Sequence, residues 1–159
     1  MKKTLLIFLI LKSSLLIYSQ EKNIDRHNTF FDAVYGSNGF NIGEIYISVN
    51  INLEKTLYNT EYVKINGRTA AGFWAGWAET GIEAPLTGQI ILFKRSSHLE
   101  IGAGGYYFYD FYDDTDNGFG SLLNMAYRFQ KPEGGFLFRA GVEKNKYLAY
   151  FILSLGYAF

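Results

Sequence analysis

Residues 44–54 read Glu-Ile-Tyr-Ile-Ser-Val-Asn-Ile-Asn-Leu-Glu. Ile45, Ile47, Val49, Ile51 and Leu53 fall on one side of an extended chain. Tyr46, Ser48, Asn50, Asn52 and Glu54 fall on the other. A helix would bring Ile45 and Val49 together but would scatter Asn50 and Asn52 across its apolar side. Strict alternation over more than one strand length, with β-branched residues on one face, therefore predicts a strand with chemically opposite faces.

The same period returns along the chain. Residues 121–130 set Leu123, Met125, Tyr127 and Phe129 against Asn124, Arg128 and Gln130. Residues 136–143 set Phe136, Phe138, Ala140 and Val142 against Arg139 and Glu143. In residues 98–109, Leu99, Ile101, Ala103, Tyr107 and Tyr109 oppose His98 and Glu100, and in residues 62–73, Val63, Ile65 and Ala71 oppose Lys64, Asn66 and Arg68. Further strands are expected over residues 29–36, 83–94 and 147–159. The segments between them, 37–39, 55–59, 77–82, 95–97, 110–119, 131–135 and 145, are rich in Gly, Asn, Asp and Ser, the residues of turns. That makes eight strands, one domain and no helix after the N-terminus.

The N-terminus has its own character. Lys2 and Lys3 precede the apolar run Thr4–Leu11, and Ser19 supplies a small residue for cleavage, so residues 1–19 are expected to be a signal peptide and residues 20–159 the folded domain. Lys12 breaks the run well short of the roughly 20 apolar residues that a spanning helix needs. Without cysteine, disulfide scaffolds, thiolate metal sites and lipid-acylated N-termini are excluded. Fifteen basic side chains balance fifteen acidic ones, so nucleic acid is not an expected partner.

Alternation alone does not say which face meets water. A soluble barrel points its apolar residues inward, whereas a membrane barrel points them at acyl chains and fills its lumen with polar ones. The export signal, the aromatic-rich apolar sets and polar sets of Asn, Ser and Tyr in place of a dense Lys/Glu coat favour the membrane barrel. The end of the chain adds to this. Phe151, Leu153, Leu155, Tyr157 and Phe159 alternate to a terminal aromatic, a pattern that resembles the C-terminal signal read by the barrel-assembly machinery of outer membranes. Together with residues 126–129, 134–141 and 154–159 and His98-x-Glu100-x-Gly102, the mature chain resembles a family of small, mostly uncharacterised Gram-negative outer-membrane barrels. The resemblance implies a fold and a compartment, and no activity. The expected fold is all-β: a single antiparallel up-and-down eight-stranded transmembrane barrel after a cleaved signal peptide. Its lumen is narrow enough for side chains to fill.

With both termini on the periplasmic side, Tyr35, Phe73, Trp74, Trp77, Tyr107 and Tyr109 are expected at the outer rim. Phe93, Phe129, Phe136, Tyr157 and Phe159 are expected at the inner one. The phase assigns Lys64, Arg68, Glu100, Arg128, Arg139 and Glu143 to the lumen, with Tyr46, Asn50 and Asn124, and predicts that Glu100 pairs with Arg128, Arg139 or both, because an isolated charge there is costly. An external loop carrying Asp110, Asp113, Asp114 and Asp116 offers carboxylates to calcium, but Thr115 and Asn124 stand where a calcium loop wants acids. Ser96, Ser97, His98 and Glu100 hold the elements of a serine nucleophile, with no G-x-S-x-G to support it. The reading is therefore of a monomeric, non-enzymatic barrel without metal or cofactor. Outer-membrane lipid and lipopolysaccharide are its expected surroundings, and the assembly machinery its partner in biogenesis. Its role is expected to be envelope structure or surface contact. The rivals are a soluble exported barrel that binds an apolar ligand and a lipid-modifying barrel.

Overall fold

The computed structural model describes residues 30–159 apart from 42, 44, 45, 61, 78, 94, 95 and 113–116. The expected signal peptide and Ile45 lie outside the described residues.

The chain forms eight strands: β1 (Ala33–Asn41), β2 (Tyr46–Asn59), β3 (Val63–Ala75), β4 (Thr80–Leu92), β5 (Ser97–Asp110), β6 (Gly118–Gln130), β7 (Gly135–Lys144) and β8 (Ala149–Ala158). Each pairs antiparallel with the next, and β1 closes on β8 from Ala33↔Ala158 to Phe40↔Phe151, so the sheet has no free edge. The fold is an all-β, up-and-down, closed eight-stranded barrel. Strands of nine to fourteen residues rising about 3.3 Å per residue and tilted about 40° are long enough for an apolar band of about 25 Å.

The alternation sets the faces. Ile47 and Ile51 are 53% and 64% exposed, and Val49, Ile101, Leu123, Met125 and Leu153 are exposed with them. Asn50, Asn52, Glu54, Asn66, Arg68, Glu100, Asn124, Arg128 and Arg139 are buried in the interior. The isoleucines are outside and the asparagines inside.

Several boundaries differ from the sequence reading. Residues 37–39 belong to β1, not to an external turn, and residues 55–59 belong to β2, which carries a register shift between Thr56 and Tyr58 in its ladder with β3. Ser37 and Gly39 are small because they point into a crowded lumen. A Cβ on Gly39 would come within 2.5 Å of the Ser48 hydroxyl and 2.7 Å of the Tyr150 ring. Turn-like composition here reflects lumen packing. The longer β1 also moves Tyr35: it is not at the outer rim but fully buried near the end that holds the chain's C-terminus. Pro85 stays within β4. Its ladder to β3 has no pairs at Ala84 and Pro85, while the ladder to β5 runs through them.

Candidate functional site

Three regions gather polar chemistry: the lumen, the rim beside the termini and the opposite mouth. In the lumen, β5 places Glu100 facing Gln89 of β4, Asn124 of β6 and Arg139 of β7. Arg139 donates from Nε to both Glu100 oxygens at 2.8 and 2.9 Å, and Gln89 and Asn124 each donate to Oε1 at 2.9 Å. Arg128 bridges Glu54 at 2.7 Å and Glu100 at 3.5 Å, and its remaining donors reach Gln130. Glu54 also accepts from the Tyr35 hydroxyl at 2.5 Å and from Asn66 at 3.1 Å. Farther along, Arg68 meets Glu143 at 3.0 Å and Thr87 at 3.0 Å, and Tyr150 donates to Glu143 at 2.9 Å. Buried charges that are paired and further hydrogen-bonded are the form in which a low-dielectric interior tolerates them.

Lys64 shares the inward phase but is only half-buried. It lines a cavity of about 200 Å³ at the rim with His98, Asn59 and Gln130, outside the buried network. Sequence phase missed Glu54 and Glu83 as lumen charges. Both sit on the polar side of alternating strands, so the alternation of β2 and of residues 80–92 carried the signal.

His98, at the same rim, turns Nδ1 to the Phe93 carbonyl and Nε2 to the Gln130 carbonyl, the latter at 3.1 Å. It thereby fastens the turn between β4 and β5 to the end of β6. Ser97 points outward, its hydroxyl 2.9 Å from that of Tyr127, and Glu100 is enclosed by its arginines. The geometry therefore does not bring Ser96, Ser97, His98 and Glu100 together as a nucleophile, base and acid. Beside the termini, Asp32 accepts from Lys55 at 3.0 Å and from the Thr56 amide at 2.7 Å. Partial burial alone would raise its carboxyl, but Thr56 and Lys55 together hold it below its ordinary value of 3.8.

The opposite mouth holds a cup of about 440 Å³, within the range of small-molecule sites. Its walls are Tyr46, Trp74, Trp77, Tyr106, Phe108 and Tyr147. Tyr46 stacks on Trp74, Tyr106 stacks on Phe108, and Phe108 meets Tyr147 edge-on at 5.5 Å. Glu79, Glu83 and Asp110 supply its charge, and among the described residues no Lys, Arg or His lines it. Glu83 is buried, accepting from Asn50 at 2.6 Å with the Tyr46 hydroxyl at 3.5 Å. No ammonium or guanidinium lies within ion-pair distance of it among the described residues.

Asp110 closes β5 instead of standing in an open loop. It is buried, its carboxylate accepts from the Tyr112 amide and its amide donates to Asn117, both at 2.7 Å. Asp113, Asp114 and Asp116 lie outside the described residues. Among the described residues no cluster of His, Asp or Glu could hold a metal ion. In the last strand and at the terminus, Phe151, Leu153, Leu155 and Phe159 are exposed on the outer face, with Tyr157 in phase between them.

No family model and no curated protein matches the chain. Among solved structures, the chain is similar to the crystal structure of the outer membrane enzyme PagL, at 13% identity and a TM-score of 0.48, over 79% of this chain and 97% of that one. This corrects one expectation: a barrel of this kind is found in an enzyme, so the architecture gives no ground for calling the chain a non-enzyme. At that level of similarity the likeness assigns it no reaction either.

Proposed function

We propose that the chain is an integral outer-membrane barrel, closed to ion flow by its lumen network, that uses the cup at its outer mouth for contact at the cell surface. The observation that carries this reading is the reversed burial: the aliphatic side chains of β2 face out while Asn50, Asn52 and Glu54 face in. A soluble carrier of apolar ligands needs the opposite arrangement, because exposing such a belt to water invites association. A closed barrel is also one of the two structures that leave no backbone group unsatisfied in hydrocarbon. With the termini on the periplasmic side, β8 presents Phe151, Leu153, Leu155, Tyr157 and Phe159 to the barrel-assembly machinery, and the aromatic rims lie against the headgroups of lipid and lipopolysaccharide. The barrel is proposed to act as a monomer.

Membrane fractionation of expressing cells tests this. The protein is expected in the outer-membrane fraction, migrating faster unheated than boiled on a denaturing gel. Recovery as a soluble monomer without detergent would defeat the reading.

A further inference from the structure

We propose that the cup at the mouth opposite the termini is a binding site for an organic cation, an alkylammonium whose charged head seats between the aromatic walls above Glu83. Two stacked pairs, Tyr46 with Trp74 and Tyr106 with Phe108, offer ring faces of negative quadrupole, the surface that attracts a weakly hydrated cation. Glu83 supplies the opposite charge. Its carboxylate is buried with amide and hydroxyl donors but no cation, although the other buried glutamates, Glu54, Glu100 and Glu143, each hold a guanidinium.

Glu83 and Asp110 are both buried and both line the cup. The rim already shows this chemistry, since the Lys146 ammonium lies 4.9 Å from the centre of the Tyr147 ring. A metal ion is a poorer occupant. It needs several oxygens converging at short range, whereas the cup's acids belong to no such cluster. An anion or a zwitterion whose phosphate enters the cup would face Glu79 and Asp110. A neutral apolar ligand would bring Glu83 no counter-charge.

The chain's two tryptophans, Trp74 and Trp77, both line the cup, so intrinsic fluorescence reads it directly. The full chain folded in a neutral sugar detergent is titrated with choline chloride, with sodium chloride as the ionic-strength control. The neutral isostere 3,3-dimethyl-1-butanol and phosphocholine are run in parallel. The expected result is a saturable change with choline and none with the isostere, with phosphocholine weaker than choline. Glu83→Gln is expected to weaken choline about tenfold. Gel heat-modifiability checks that this variant folds. Trp77→Leu, a change at the exposed rim, is expected to weaken choline while Trp74 still reports. Binding of the isostere as tight as that of choline would overturn the proposal in favour of a merely apolar pocket. Phosphocholine binding as tight as choline would overturn the cation assignment in favour of a zwitterionic headgroup. The absence of any saturable change beyond the salt control would also overturn it.

Discussion

Glu100 is the residue on which the lumen converges. It accepts from Arg139 at both oxygens, from Gln89 and from Asn124, and it neutralises part of Arg128. Replacing it with alanine leaves Arg139 buried without a carboxylate and leaves Arg128 with Glu54 alone. Stranding a buried charge in this way costs about 3–5 kcal/mol. Glu100→Ala is therefore expected to lower the urea midpoint of the folded barrel in detergent sharply, and a midpoint within error of the parent would show that the network carries little stability. The pairing of Glu100 with an arginine was legible from phase, because a charge on the polar side of a strand has to be neutralised inside a closed tube. The choice of partner was not, nor was the role of Glu54. Arg128 and Glu54 stand 74 residues apart in the chain, and only the register of a closed sheet brings them together.

At the scale of the strands, the inward face is built by laying large side chains over positions that lack one. Tyr35 of β1 is paired with Gly156 of β8, and a Cβ on Gly156 would lie 2.2 Å from that of Tyr35 and 2.3 Å from the Val34 carbonyl oxygen. Gly36, on the outward face, has its nearest neighbour at 4.0 Å. The two glycines therefore answer differently to one methyl group. Gly156→Ala forces the β1–β8 seam apart and is expected to cost about 1–3 kcal/mol. Gly36→Ala meets open space and is expected to be neutral, or to stabilise by about 0.4–1 kcal/mol through the unfolded chain. Urea unfolding of both variants checks the pair, and equal midpoints would refute the close approach. The same packing explains where the sequence misled. Residues 37–39 carry the letters of a turn, but Ser37 and Gly39 are small because Asn52 bonds to the Ser37 hydroxyl and Tyr150 occupies the space over Gly39. In a narrow barrel, small polar residues mark a crowded lumen as readily as a loop. The stretches with clean alternation, residues 46–54 of β2 together with β6 and β7, had no such ambiguity on their outer faces.

For the whole molecule, the question is what the outer belt touches, and charge placed on it gives different answers in lipid and in water. Ile51 lies mid-strand in β2, opposite Gly36 and Ala71, with its side chain on the outside. In a bilayer an arginine there would sit near the midplane and cost about 2–4 kcal/mol. At a water-facing position the same substitution is worth no more than about 0.5 kcal/mol. Ile51→Arg is thus expected to destabilise the barrel in phospholipid vesicles by several times its effect at the rim position Tyr62, which is exposed between β2 and β3. Equal small effects at both positions would mean that the belt meets water, and the membrane reading would fail. The interior constrains the outcome in a second way. Among the described residues, three guanidiniums and four glutamates inside the strands are buried by one another and by Tyr35, Tyr46 and Tyr150, so the belt cannot exchange places with the lumen by a one-residue register slip without turning those charges to the outside. The closed ion-paired interior and the apolar exterior are therefore two consequences of one register. A variant that loosens the first is expected to weaken the second as well.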